Sequence, residues 1–423
     1  MSEQRKRVAA ITTVWRKDSH ADVIIPKLLA GYDLDGEPAR PAVEIVSLYV
    51  DQIPENDLSR RWARRFGVPI YGTIEEALER GRGRLEVDAV LIVAEHGDYP
   101  WNERGQHLYP RREFFERATN VMRRAGRAVP LFNDKHLSYS WEHAKWMYDT
   151  ARALGMPFMA GSSLPVTFRD PELDLPPEAE VQEALVLSHG PTESYGFHAL
   201  ETLQCMVERR RGGETGVAAV RLLADDAFWR TWDASGAQGA SGTSGHSEEV
   251  RFPMELYAAA LAVARHEPGA APEYFGTRAT RRVASPGPQP PVAFLVRYAD
   301  GLRATVLNLN GYVHDFAFAA RLSDGSVVAT AFKLEGQPPR WHFSFLAHHI
   351  EQFFRTGRPP YPVERTLLTT GTLAALMDSG ATGDWVPTPH LAIAYHSPPE
   401  GWRRARGRSL PPEQVWGFSP DEV

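Results

Sequence analysis

Over its first 160 residues the chain alternates short, continuously apolar runs with amphipathic helical stretches, and that alternation leaves few folds open. Apolar runs fall at VAAITTV (8–14), VEIVSLYV (43–50), VPIYG (68–72), DAVLIVA (88–94), AVPLFND (128–134) and PFMAGS (157–162). The intervening stretches, among them LSRRWARRFG, TIEEALERG, EFFERATNVMRRAG and SWEHAKWMYDTARALG, carry apolar residues at helical spacing. A strand apolar on both faces must be covered on both, and a helix between successive strands makes them pair in parallel. The pattern predicts a doubly wound parallel sheet. Ligands of such sheets sit beyond the carboxyl ends of the strands. That rule selects the turn at 15–20, Asp51, the loop from Glu95 to Arg112, and Asp134-Lys135-His136.

Past Ser162 the texture changes. A helix, HALETLQCMVERRRGG (198–213), precedes TGVAAVRLL (215–223), and two alternating runs, RYADGLRATVLNL and ARLSDGSVVATAFKL, are each broken by Asp-Gly. Asp-Gly between alternating runs signals a hairpin, because the turn needs positive φ. The expected fold class is α/β: an N-terminal Rossmann-like parallel sheet, then an α+β domain on an open, mainly antiparallel sheet. The stretches 233–249, rich in Gly and Ser, and SPGPQPP (285–291) read as a surface loop and a connector. A helix, WHFSFLAHHIEQFFRTG (341–357), comes near the end. A length of 423 residues implies two domains, drawn at 1–160 (Rossmann-like, dinucleotide-binding type) and 161–400 (substrate and oligomerisation), with a C-terminal tail at 401–423.

Composition removes some functions. A net charge of −6 gives no basic face for nucleic acid. Cys205 is the single cysteine, so an intrachain disulfide and a thiolate zinc cluster are excluded. The apolar run after Arg5-Lys6-Arg7 is short and ends at Arg16-Lys17, which reads as a first strand and not as a signal peptide. No apolar run approaches the roughly 18 residues of a membrane span. The expected setting is a reducing, cytoplasmic one without membrane contact.

The first turn, VWRKDSH (14–20), contains no glycine. What remains is a helix N-terminus, with exposed amides and a partial positive charge. Arg16, Lys17 and the hydroxyls of Thr13 and Ser19 would reinforce an anion site there; the other reading is a solvated turn before a capped helix. Asp51 ends the second strand, where it either accepts hydroxyl donors or simply forms a turn.

In order of elements the chain resembles the glucose–fructose oxidoreductase/inositol dehydrogenase (Gfo/Idh/MocA) family, which joins a Rossmann domain to an α/β domain on an open sheet. The family's G-x-G-x-x-G-x-x-H aligns Thr12, Val14 and Lys17 with the three glycines and His20 with the histidine. A valine at the middle position crowds a conventionally seated cofactor. The resemblance implies NAD or NADP, held in an atypical way by Thr12, Thr13, Arg16, Lys17, Ser19, Asp51 and Glu95. The family's Glu-Lys-Pro after the fifth strand reads Asp134-Lys135-His136 here. The resemblance implies a catalytic Lys135 that polarises or protonates a sugar oxygen. Apart from any family, a lysine at a strand's carboxyl end beside Asp134 suits general acid/base work; a salt-bridged loop lysine is the plainer reading.

In HGPTESYGFHALETLQ, His198 matches the family's histidine and Gly196 the glycine before it, while Ser194 stands at the aspartate position beside Glu193. An imidazole next to a lysine suits proton transfer as hydride leaves carbon; otherwise His198 packs at a helix start. The loop EHGDYPWNERGQHLYPRRE (95–113) gathers His96, Asp98, Tyr99, Asn102 and Arg111, which with His136 and Tyr195 form the expected substrate set. Aromatic faces with carboxylates and amides suit carbohydrate. His96, Asp98, Glu103, His136, Glu193 and His198 would also suit a metal, but no pair has a diagnostic spacing, and no metal ligands are assigned. The expected function is a sugar- or polyol-directed oxidoreductase, catalytic through Lys135, His198, Asp134 and Glu193. The alternatives are a redox-neutral lyase, isomerase or hydrolase on the same scaffold, metal-dependent or not, and a non-catalytic sugar-binding protein. The partners expected are a carbohydrate-like small molecule and further copies of the chain.

Overall fold

In a computed structural model the protein is described over residues 5–236, 250–267, 290–334, 340–398 and 404–423. Most of the Gly/Ser-rich loop and of the connector up to 289 lies outside these residues. The first strands and helices are β1 (Lys6–Val14), α1 (His20–Ala30), the small pair β2 (Tyr32–Asp33) and β3 (Pro38–Ala39), β4 (Val43–Gln52), α2 (Ser59–Phe66), β5 (Ile70–Tyr71) and α3 (Ile74–Glu79). There follow β6 (Ala89–Val93), α4 (Arg111–Ala125), β7 (Leu131–Asp134), α5 (Trp141–Ala153) and β8 (Phe158–Gly161). Six of these strands form one sheet in the order β5-β4-β1-β6-β7-β8, parallel throughout. Val8 to Ile11 and Ala89 to Val93 are fully buried, as strands covered on both faces must be. The chain winds outward from β1 through β4 to β5, then restarts at β6 on the other side of β1. The crevice between the carboxyl ends of β1 and β6 is therefore the topological switch point.

The later elements are β9 (Phe168–Asp170), β10 (Val181–Ser188), α6 (Ser194–Val207), β11 (Val217–Leu223), α7 (Asp225–Gly236), α8 (Met254–Val263), β12 (Val292–Tyr298), β13 (Arg303–Asn308), β14 (Phe316–Leu322) and β15 (Val327–Lys333). After them come α9 (His342–Thr356), α10 (Glu364–Thr382), β16 (Val386–Pro387) and α11 (Pro412–Trp416). The second sheet has eight strands in the order β16-β11-β12-β13-β10-β14-β15-β9. Its registered pairs are antiparallel except β10 with β13. Both Asp-Gly pairs close hairpins, with Gly301 at φ +95° and Gly325 at φ +83°.

The chain divides into two compact units, 1–168 with 334–370 and 400–423, and 169–333 with 371–399. The helix α9, which the sequence boundaries put in the later domain, packs on α1 in the first unit. Phe345, Leu346, Ile350, Phe353 and Phe354 share one core there with Ile24, Ile25, Leu28 and Trp15. The C-terminal α11 belongs to the same unit, where the Trp416 indole donates to Gly31 O at 2.9 Å. The second unit has its own core, in which Phe228, Trp229 and Trp232 of α7 meet Leu256 of α8 and Leu185, Leu187 and Leu307 of the sheet. Among the described residues no helix is long and apolar enough to cross a membrane.

Candidate active site

In the first unit the chemistry gathers just past β6 and β7. Glu95 follows β6 and is 4% exposed. One of its carboxylate oxygens is ion-paired with the guanidinium of Arg111, the first residue of α4. The other lies 3.3 Å from Lys135 Nζ. Burial alone would raise the Glu95 pKa, but Lys135 and then Arg111 overcome it and hold the carboxyl well below its ordinary range. Arg111 also places Nη1 at 3.2 Å from His136 Nε2. Next to this group, Asp134 Oδ2 meets His20 Nδ1 at 2.6 Å, while Asp134 Oδ1 has no hydrogen-bond partner among the described residues. The His96 ring, 5.5 Å from that of His20, has its pKa pushed down to about 4 by burial and then by His20.

Two of these residues sit in the left-handed region without being glycine: His96 at φ +73° and Lys135 at φ +66°. For L-residues this costs about 1–2 kcal/mol, and such conformations gather at functional sites. Lys135 is pinned by its own amide, which donates to Gly161 O at 3.0 Å. The structure thus brings together Glu95, His96, Arg111, Asp134, Lys135 and His136. It adds His20, which sequence reasoning aligned with a motif but did not count as a site residue.

The first turn departs from expectation. Thr12 and Thr13 are fully buried, and their hydroxyls donate to Val93 O (2.9 Å) and Glu95 O (3.1 Å), zipping β1 to β6 across the switch point. Ser19 is the α1 N-cap, its hydroxyl accepting from the amides of Arg16 (3.2 Å) and Asp22 (3.4 Å). Asp22 folds back over the turn: Oδ2 accepts from Asp18 N at 3.0 Å and Oδ1 from Trp15 Nε1 at 3.1 Å. His20 N donates to His96 Nδ1 at 3.4 Å. Trp15 is wholly buried and stacks on Trp62, 6.0 Å between centroids. Arg16 and Lys17 are exposed. A dinucleotide pyrophosphate does not fit this turn as folded: the amides it would use serve the protein's own side chains. The missed signal was Ser-x-x-Asp at 19–22, a capping-box spacing.

Asp51 is also committed, accepting the phenols of Tyr49 and Tyr99 at 2.6 Å each. Burial, and then Asp51, pushes the Tyr49 hydroxyl up to about 12 and raises Tyr99 as well. Several residues expected to contact substrate instead hold their loop together. Asn102 accepts the amides of Arg104 and Gln106 at 3.0 Å. The exposed Asp98 exchanges backbone bonds with the Gln52 amide. Arg111 is fully buried as the partner of Glu95, and both Glu95 oxygens are engaged by protein cations, Arg111 and Lys135.

In the second unit Glu193 and His198 are 3% and 7% exposed at the start of α6. The His198 ring lies 5.7 Å from Tyr195 and 6.0 Å from Phe316, and Tyr195 stacks on Phe316. His189, which the sequence reading passed over, stands 5.3 Å from Tyr195 with its pKa pushed down to about 4 by burial. Gly190, at φ +88°, is held by Asn308 Nδ2 and Asn310 Nδ2, which donate to its carbonyl at 3.0 and 3.1 Å. A Cβ at Gly190 would stand 2.2 Å from the Tyr195 ring, so this close approach requires glycine. Among the described residues no three His, Cys, Asp or Glu side chains group to hold a metal ion.

No protein-family model and no curated protein matches the chain. Solved structures do. GenD2 from gentamicin A biosynthesis, solved in complex with NAD, gives a TM-score of 0.54 at 14% identity, covering 92% of this chain and 97% of its own. The scyllo-inositol dehydrogenase of Lactobacillus casei gives 0.53 at 11% identity over 92% and 99%. The myo-inositol 2-dehydrogenase of Lactobacillus plantarum gives 0.50 at 11% identity over 90% and 99%. The fold is that of the Gfo/Idh/MocA dehydrogenases. Lys135 follows β7, the fifth strand of the first sheet in chain order.

Proposed function

We propose that the protein is a Gfo/Idh/MocA-type oxidoreductase that interconverts a hydroxyl and a carbonyl on a sugar- or polyol-like compound, with Lys135 handling the proton. The observation that carries this reading is Lys135 itself: 2% exposed, held at positive φ past β7, with its ammonium 3.3 Å from Glu95. A lysine with a fixed backbone beside a buried carboxylate is positioned to polarise a substrate oxygen and pass a proton to or from it. Glu95 and Arg111 set the charge around that ammonium, and Asp134, the preceding residue, holds His20. Asp134 Oδ1, with no partner among the described residues, suits a substrate hydroxyl donor. Taken by itself, the second unit has a polar and aromatic group of its own, His198 beside Tyr195 and Phe316, of a chemistry that suits a sugar's polar edge and apolar face.

NAD or NADP, the former bound in the GenD2 structure, is the two-electron acceptor this chemistry calls for, by analogy of fold. No step is assigned through it, because the first turn does not offer its pyrophosphate a seat. That filled turn favours a second reading, redox-neutral acid/base chemistry at the same residues of the first unit. Replacing Lys135 by Ala is expected to lower turnover of a polyol or aldose substrate by about 10²–10⁴-fold with the fold intact. A rate equal to that of the parent protein removes Lys135 from the mechanism.

A further inference from the structure

The fold calls for an anion at the start of α1, and the protein supplies one of its own. We infer that the Asp22 carboxylate is the resident anion of the α1 N-terminus and that it keeps a nucleotide pyrophosphate off this turn. The inference concerns the binding of the cofactor named above, but it stands on the turn alone.

Three observations carry it. The Asp22 carboxylate spans the turn, taking the Asp18 amide on one oxygen and the Trp15 indole on the other. Both are bonds to the charged form, set in the positive field of the helix N-terminus. Next, the neighbouring amides are committed as well, Arg16 N and Asp22 N to the Ser19 hydroxyl and His20 N to His96. Finally, the turn is braced. Asp18 holds the left-handed conformation at φ +64°, and its carboxylate meets Arg340 at 3.0 Å. Trp15, buried and stacked on Trp62, occupies the volume under the turn. An intramolecular carboxylate loses little freedom on binding, whereas a ligand phosphate must displace it and also brings like charge beside it.

The experiment is calorimetric titration with inorganic pyrophosphate of the full-length protein, of Asp22→Asn, and of Trp15→Phe, which keeps the packing but removes the indole donor. Thermal unfolding by circular dichroism checks that each variant is folded. The inference predicts that Asp22→Asn binds pyrophosphate about tenfold or more tightly than the parent, the scale of a helix-end charge effect, with Trp15→Phe between them. Equal affinities in all three proteins overturn it, as does parent binding as tight as that of Asp22→Asn. Should Asp22→Asn be unfolded, Trp15→Phe alone decides, by the same comparison. NADH titrated into the parent protein tests the oxidoreductase reading separately. Absence of NADH binding sinks that reading, and the pyrophosphate comparison still decides the inference.

Discussion

Glu95 shows how one buried carboxylate organises two cations. Glu95→Gln removes the carboxylate that buried Arg111 and Lys135 both meet, and is expected to destabilise the protein by about 3–5 kcal/mol in urea unfolding. A change within experimental scatter would mean the two cations are neutralised elsewhere. The same group sets part of the pH dependence. Its folded pKa lies well below 4.5, so its stabilisation is complete above the unfolded value and is lost as pH falls through the folded one. The buried histidines act earlier. His96 and His189 are pushed from 6.5 to about 4, and His342 to about 3, in each case chiefly by burial. Between those values the unfolded chain binds the extra protons, so stability falls as pH drops below 6.5. The urea midpoint is expected to be level from about pH 8 to 7 and to decline steadily below about 6.5; a midpoint still level at pH 5 contradicts this. At this scale the sequence was partly legible. Lys135 could be found because a strand end is a local signal, whereas the ion pairs of Glu95 depend on which helix start lies across from it.

Among elements, the hairpins were the most readable, because Asp-Gly states its backbone requirement in two residues. Gly301, at φ +95°, has nothing within 4 Å of a built Cβ. Gly301→Ala should therefore cost only the left-handed backbone term, about 1–2 kcal/mol. Gly216 is the contrast: at φ +102° its Cβ would stand 2.2 Å from Leu391 O. Gly216→Ala should cost about 3 kcal/mol or more, since backbone must also move. Equal costs at the two sites, measured by chemical denaturation, would show that the 216 segment yields easily. The first turn was the least readable element. Its missing glycines were plain, but its closure depends on the Asp22 side chain reaching back to Asp18 and Trp15. A loop rich in polar residues misled in the same way: Asp51, Tyr99 and Asn102 satisfy one another and their own backbone.

For the whole molecule, alternation of strand and helix disclosed the first sheet and the Asp-Gly-broken runs disclosed the second, whose central strands are also buried on both faces. The return of α9 to the first unit was not written there; an amphipathic helix shows that it has a buried face but not which core receives it. The central proposal is that this protein, on the fold of the Gfo/Idh/MocA dehydrogenases, interconverts a hydroxyl and a carbonyl while Lys135 moves the proton, any dinucleotide being seated away from the α1 turn. The most direct measurement is nicotinamide absorbance in mixtures of the protein with NAD or NADP and a panel of polyols and aldoses, run beside Lys135→Ala. The account predicts reduction of the nicotinamide with at least one compound, slowed about a hundredfold or more by the substitution. No reduction with any compound, or an equal rate in the variant, would contradict it.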